Sequence, residues 1–332
     1  MSKSVLLIGG AGYIGPIIVD ELLADGYQVT VFDRLIYNNK FALNSYIGNN
    51  KFRFIEGDMG DTNAISKALV GINKVVLLAG LVGDPITKKY PEFSSVINDV
   101  SVKRCIRVLA KSKTEHVIFV STCSNYGLIP DGALADESYP TAPLSLYAKA
   151  KVENEQFLLS ALGGKEFTPT ILRFATAFGV APRMRFDLTI NEFVKEIALS
   201  RRLLVFDPDT WRPYCHVRDF AYIIKLVLGA PKELVKNETF NAGSDMNNFT
   251  KRQIVELIEK HVPTASIQYK EHGSDPRNYK VNFSKIRNVL GFKPRYTVEK
   301  GILEILSYIQ AGNYKSDNKN KNYYGNYILD LE

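Results

Sequence analysis

Two rhythms of apolar and polar positions alternate along the first half of the chain. Short strand-like runs, Val5 to Ile8, Gln28 to Phe32, Phe52 to Ile55, Lys74 to Ala79, His116 to Ser121 and Thr168 to Phe174, are separated by stretches with a helical period. Ile14, Ile18 and Leu22 recur every four residues through Asp25, the spacing of one buried helix face, and Gly26 closes that helix. Pro16 falls in its first turn, where a missing N–H has no intrahelical partner to lose. Strand and helix in repetition predict βαβ units, hence an α/β fold with a doubly wound parallel sheet, covered on both faces, and ligands at the carboxyl ends of its strands. Three polar turns stand at those ends: Gly57-Asp58, Ala79-Gly80-Leu81 and Ser121 to Gly127. After about residue 174 shorter elements, scattered prolines and several arginines predict a smaller second lobe that shares an interface with the first. The stretch Lys315 to Tyr324, rich in Asn and Lys and poor in aliphatics, predicts a loosely held polar tail over 315–332, with Tyr323, Tyr324 and Tyr327 as points where part of it docks.

Gly9, Gly12 and Gly15, directly after the first strand, change this picture most. Their spacing lets the backbone turn sharply, lets a pyrophosphate approach the main chain and lets the next helix pack close to its strand. The anion then meets the free N–H groups and positive dipole end of that helix. The second strand ends at Asp33, 21 residues beyond Gly12, near the roughly 20-residue offset at which an acid meets the adenosine ribose hydroxyls of NAD. Arg34 is the neighbour that would instead pair with the 2′-phosphate of NADP.

Composition excludes several classes. With 332 residues, 45% of them hydrophobic, the chain fills one large or two medium domains. Three cysteines, Cys105, Cys123 and Cys215, show no paired spacing, so neither a disulfide frame nor a metal site is indicated and a reducing compartment is expected. No charged leader with an apolar segment opens the chain, and no apolar run approaches the ~18 residues of a membrane span. The expected location is the cytoplasm, with no membrane partner. The net charge of +7 has its densest patch at Lys103, Arg104, Arg107, Lys111 and Lys113, along one helix without interleaved aromatics, which reads as a solvated face and not as a nucleic-acid site. The charge still favours phosphorylated small molecules.

Tyr147 and Lys151 stand four apart on a helix predicted to begin near Pro143, so they share a face. A phenol is a poor base at its ordinary pKa of about 10. A neighbouring ammonium and a nicotinamide cation both favour the phenolate, so Lys151 is expected to prime Tyr147. The hydroxyl of Thr122, at the end of the fifth strand, can hold a substrate oxygen in line with that phenol. The trio is a device for moving a proton on an alcohol while NAD moves the hydride.

In this order, Gly9-x-x-Gly12-x-x-Gly15, Asp33, Gly57-Asp58, Ala79-Gly80, Ser121-Thr122 to Tyr126-Gly127 and Tyr147-x-x-x-Lys151, the sequence resembles the extended short-chain dehydrogenases/reductases, in their nucleotide-sugar epimerase and dehydratase group, over residues 3 to about 310. The resemblance implies a Rossmann-type NAD-binding domain over 1–173 with 214–243, and a smaller α/β lobe for a nucleotide-diphosphate sugar over 174–213 with 244–314. On the cofactor it implies Tyr13 and Ile14 beside the glycines, Asp58 and the Met59 backbone at adenine, Ala79, Gly80 and Leu81 along the fourth strand's end, Lys151 at the nicotinamide ribose and Phe174 beside the nicotinamide. It also implies that Asn98 supports the loop beneath the site. The segments Arg212 to Asp219 and Asp275 to Tyr279 look like those that grip the diphosphate, with Arg212 and Arg277 on it, Asn191 in the same pocket, and His216 and Asp219 structural. The planar guanidinium fork suits that task. Val82, Thr122, Ser124 and Thr176 fall where the family meets the sugar. A homodimer through the helices around residues 95 to 112 and 145 to 162 is implied as well.

Two departures bear on the reaction. Dehydratases of this group carry an acidic residue just after the strand-end hydroxyl, where this chain has Cys123 and Ser124, so dehydration ranks below epimerisation. Val82 stands in place of a lysine and Thr176 in place of an asparagine found in 4-epimerases, which leaves the sugar, hexose or heptose, open. The expected reaction is transient oxidation at C4 of the sugar with return of proton and hydride on the opposite face. The alternative is a 4-dehydrogenase or 4-ketoreductase with the same residues.

Overall fold

The computed structural model describes residues 3–130, 132–162, 167–200, 202–263, 265–273, 275 and 277–329. Pro276 of the second arginine segment and the last three residues of the expected tail lie outside them. Six strands follow the βαβ rhythm: β1 (Ser4–Ile8), β2 (Gln28–Asp33), β3 (Phe52–Glu56), β4 (Lys74–Leu77), β5 (His116–Thr122) and β6 (Thr168–Phe174). The chain then leaves through β7 (Thr176–Phe178), β8 (Arg202–Phe206) and β9 (Trp211–His216), returns as β10 (Glu238–Ala242), and leaves again through β11 (Asn248–Thr250) and β12 (Ser266–Lys270). Among the described residues the large sheet runs β10-β6-β5-β4-β1-β2-β3 with every neighbouring pair parallel. Its strand order reverses between β1 and β4, the switch point where such sheets open a crevice.

Both faces of this sheet are buried, which explains the unbroken apolar runs. Val5 and Leu7 join one layer with Ile18, Leu22 and Phe220, while Leu6 and Ile8 join the other with Leu77, Ile106 and Phe119. β4 stops at Leu77 and not at Ala79. The N–H groups of Leu78 and Ala79 both donate to the Ile8 carbonyl, at 2.9 and 2.8 Å, which ends the ladder and lays Ala79 against Gly9. Gly9 has φ +85°, and a Cβ there would lie 2.5 Å from the Ala79 Cα, so this crossing accepts glycine alone. The helix carrying Tyr147 begins at Leu146, three residues after Pro143, because the Ser145 hydroxyl caps it by accepting from the Ala148 N–H at 3.2 Å.

In the second lobe β9 is flanked by β7 and β11, and β8 pairs with β12, around a core that includes Val194, Ile197, Ile254, Ile258, Ile302 and Ile305. A boundary at residue 214 falls inside β9, whose partners are all in this lobe. The return to the large sheet comes with the helix Val217–Gly229, which His216 caps while its Nε2 lies 2.7 Å from Glu304. Of the basic run, Lys103, Arg104 and Arg107 lie on the helix Val102–Leu109 and Lys111 and Lys113 follow it. Lys103 is paired with Asp99 and Glu153.

The tail is docked where composition predicted a loose end. Tyr323 stacks on Phe41 with ring centres 4.4 Å apart, the Phe186 N–H donates to the Tyr324 carbonyl at 2.7 Å, and Asn322 Oδ1 accepts from the N–H groups of Tyr327 and Ile328, each at 3.1 Å. Asparagines that count toward disorder in a composition act here as local bridges, satisfying the backbone of a segment without regular structure.

Candidate active site

A cleft of about 1180 Å³ opens at the carboxyl ends of β1, β4 and β5 and is walled on its far side by the second lobe. The glycine turn forms its floor. A Cβ on Gly15 would lie 2.1 Å from the Gly10 carbonyl oxygen, so glycine is what lets the helix Gly15–Ala24 start this close to β1. No side chain caps that helix, and a Cβ on Gly12 would meet only the Gly9 carbonyl at 3.7 Å. Free N–H groups at a helix start beside open space fit a dinucleotide pyrophosphate. Asp33 accepts from the N–H groups of Ala11 at 2.9 Å and Leu35 at 2.8 Å; burial raises its pKa, with those two bonds opposing. Arg34 is bound to Asp58 at 2.8 Å, so the cation that would meet a 2′-phosphate is already paired, and Asp58 also accepts from the Gly60 N–H at 2.7 Å. Met59, Ala79 and Gly80 line the cleft with Tyr13, Ile14 and Phe174, whose ring stacks on Phe220 at 3.9 Å.

Thr122, Tyr147 and Lys151 meet in the same cleft. Thr122 Oγ1 accepts from the Ser124 N–H at 3.1 Å, which leaves its own proton to donate elsewhere. The Lys151 ammonium donates to the Val120 carbonyl at 2.7 Å and lies 4.6 Å from the centre of the Phe119 ring and 5.7 Å from that of Tyr147. Burial lowers its pKa to about 8, with Glu155 opposing. Burial raises the Tyr147 phenol, Asp84 adds to that, and the cations acting against it are Arg185 and Arg277. Priming by Lys151 alone is therefore not what the protein's own charges provide: desolvation of the phenol outweighs them. Beneath this group Asn98 bonds both the N–H and the carbonyl of Leu81, at 2.7 and 2.9 Å, from a helix that widens to a π turn over Val96–Ser101.

In the same cleft Arg212 and Arg277 share the Asp275 carboxylate. Arg277 binds Asp275 at 2.7 Å, Asp84 at 2.9 Å and the Ser124 hydroxyl at 3.0 Å; Arg212 binds Asp275 at 3.0 Å and lies over the Tyr279 ring. Burial alone would raise the Asp275 carboxyl, but its bonds to Arg277 and its charge contact with Arg212 hold it well below its ordinary range. Val82 and Thr176 line the same cleft.

Two residues expected in the site do not face the cleft. Leu81 is fully buried in the core, and Asn98 takes up both of its main-chain groups. Asn191 is also fully buried; it accepts from the Gly179 N–H at 3.0 Å and donates to the Tyr13 hydroxyl and the Arg185 carbonyl, each at 2.9 Å. Its amide has no capacity left for a diphosphate, so it works as a brace between the lobes. Conversely, the sequence reading missed Arg183, Arg185, Asp187, Glu192, Lys195 and, from the tail, Asn326 and Tyr327, all on the cleft wall. Arg183-Met-Arg185-Phe-Asp187 alternates charged and apolar residues next to the segment expected beside the nicotinamide, a signal that was legible. Tyr327 was expected to dock the tail but not to reach the cleft, and nothing local marks Asn326.

A glycine turn at the switch point of a doubly wound sheet, facing a threonine, a tyrosine and a buried lysine, defines a dinucleotide-dependent enzyme that moves a proton and a hydride. The sequence model of the NAD dependent epimerase/dehydratase family matches residues 5–243, and the chain belongs to that family. It is an NAD-dependent enzyme. The UDP-glucose 4-epimerase of Corynebacterium glutamicum is 27% identical over 318 residues, covering 90% of this chain and 93% of the relative. A dTDP-glucose 4,6-dehydratase of Streptomyces niveus is 26% identical over 324 residues, covering 92% of each. The UDP-glucuronic acid 4-epimerase of Bacillus cereus, solved in complex with UDP-glucuronic acid and NAD, has the same fold, with a TM-score of 0.83 at 23% identity, covering 93% of this chain and 99% of its own.

Proposed function

We propose that the chain is a nucleotide-sugar epimerase that acts through transient oxidation at C4 of the sugar of a nucleotide-diphosphate hexose or heptose. The carrying observation is the residue after Thr122. Cys123 is fully buried, its S–H donating to the Arg173 carbonyl at 3.1 Å, and burial pushes the thiol far up, so it is no acid for expelling water from the sugar. Ser124, next along, is engaged by Arg277 and Tyr279. One proton carrier, Tyr147, suits a reaction that removes and returns a single proton.

The residues divide the work as follows. Thr122 donates its free proton to the sugar oxygen and sets the line of the 4-hydroxyl. Tyr147 takes the hydroxyl proton and later gives it back. NAD, when bound, supplies the hydride acceptor and donor together with a positive ring that favours the phenolate. Lys151, still largely an ammonium at neutral pH, is anchored on Val120 so that its charge stays beside the phenol. Arg212 and Arg277, oriented by Asp275 and Asp84, take the diphosphate and leave the sugar free to turn. The reading includes a homodimer in the cytoplasm; the three cysteines, buried and unpaired, suit a reducing compartment.

The test is to give the purified protein UDP-, GDP-, CDP- and dTDP-sugars and to follow products by NMR and reduced cofactor by absorbance. An epimer without accumulated reduced cofactor is expected. Stoichiometric reduced cofactor, or no product from any of the sugars, overturns the reading.

A further inference from the structure

The docked tail ties together the two sides of the cleft. On the side of the large sheet, Tyr323 stacks on Phe41 of the short helix Lys40–Tyr46 after β2, and Asn326 Nδ2 donates to the Val82 carbonyl, after β4, at 3.0 Å. On the side of the second lobe, the Asn326 N–H donates to Asp187 at 3.2 Å and its Oδ1 accepts from Arg183 at 2.9 Å. Arg183 also donates to the carbonyls of Asn322 at 3.1 Å and Gly325 at 2.9 Å while lying over the Tyr37 ring, and it is only 2% exposed. Asn326, itself 8% exposed, and Tyr327 are part of the wall of the cleft that holds Gly12, Asp33 and Tyr147. A buried guanidinium whose acceptors come from one segment resists that segment's departure, since lifting it leaves the charge without partners.

We propose that residues 320–327 are a clasp that holds NAD in the cleft, so that the dinucleotide exchanges only when this segment lifts off both lobes. The clasp rests on the chain's NAD dependence, and it is tested by dinucleotide exchange without any sugar, so its failure and that of the proposed reaction are read separately. Its geometry suits an enzyme that reuses one cofactor molecule, because a strap bonded at both ends slows release without adding a contact to the reacting atoms. Opening it breaks the Asn326 bridges and the Tyr323 stack together, so either change alone loosens it in part.

The experiment measures exchange of bound NAD for isotopically labelled NAD in the 332-residue chain, after gel filtration, beside a form ending at Gly312 and the 332-residue variants Asn326→Ala and Tyr323→Ala. Circular dichroism and thermal unfolding of each report whether it is folded, and the point variants keep the test alive if the shortened chain does not fold. The clasp predicts that the parent carries NAD through gel filtration, that the shortened form exchanges it about tenfold faster or more, and that the point variants fall between. Exchange within about twofold of the parent in folded variants overturns it, and so does a parent that sheds its NAD on the column.

Discussion

As the proposed proton carrier, Tyr147 would sit in a buried wall and still accept a proton, and the two demands oppose each other. Burial raises its phenol against the pull of Arg185 and Arg277, so in the proposed reaction the cofactor's positive ring would have to favour the phenolate. Tyr147→Phe keeps the ring and removes the proton carrier. Turnover is expected to fall by about 10²- to 10⁴-fold with the NAD content of the purified protein unchanged, and normal turnover would remove Tyr147 from the mechanism. Lys151 meets the reverse problem. Its pKa is about 8 in the fold against 10.5 unperturbed, so below pH 8 the folded chain carries a buried charge that the unfolded chain carries in water, at a cost of about 3 kcal/mol. That cost is relieved as pH rises from about 8 to 10.5. The stability difference between Lys151→Met and the parent therefore favours the variant most below pH 8 and shrinks toward pH 10.5, read from denaturant midpoints across that range. A difference that does not change with pH would contradict the shifted lysine. Tyr147 and Lys151 were legible from their spacing, but the direction of their shifts was not, because burial is decided by neighbours from distant parts of the chain.

The turn after β5 that carries Thr122 is fixed by three other elements. Glu155, on the helix Leu146–Leu162, accepts from the Ser121 hydroxyl, from Asn125 at 2.8 Å and from Arg173 of β6 at 2.7 Å; Arg173 also donates to the Tyr126 hydroxyl at 3.0 Å, which donates to Asn241 of β10 at 2.7 Å. Both members of the ion pair are nearly excluded from water, so removing one leaves the other charge uncompensated. Glu155→Ala is expected to destabilise the fold by about 3–5 kcal/mol in denaturant unfolding, and a loss under about 1 kcal/mol would mean that water replaces the carboxylate. The first six strands, the glycine helix and the position of the turns between them followed from the sequence pattern. The network did not, since Glu155, Arg173 and Asn241 meet only after β10 has returned to the sheet. The same holds for β4, which ends early because its last N–H groups share one carbonyl of β1.

For the whole molecule, the proposed dimer would bury the outer faces of the helices around residues 95–112 and 145–162. Val96, Val100 and Leu146 are exposed there at 52%, 38% and 49%, an apolar surface that an isolated chain leaves in water. Sedimentation at micromolar concentration is expected to show a species of twice the 37.3 kDa chain mass, and a monomer would remove the dimer from the proposal. The second lobe was visible in the sequence as a loss of rhythm. Of the three residues expected at a diphosphate, Arg212 and Arg277 line the cleft and stay in the proposal, while Asn191 is buried away from it. An asparagine's neighbours cannot be read from its position in a helix, and here Tyr13, Gly179 and Arg185 use every group it has.

By itself the sequence determined the parallel sheet, the glycine turn with its acid, the threonine at a strand end, and the tyrosine and lysine on one helix face, because each is written in local spacing that the backbone converts into a fixed direction. Only the tertiary structure decided which charges press on Tyr147, that Leu81 and Asn191 turn away from the cleft, and that the asparagine-rich tail closes its wall. Those outcomes depend on desolvation and on hydrogen-bond partners contributed from far along the chain, and such partners exist only once the two lobes have come together.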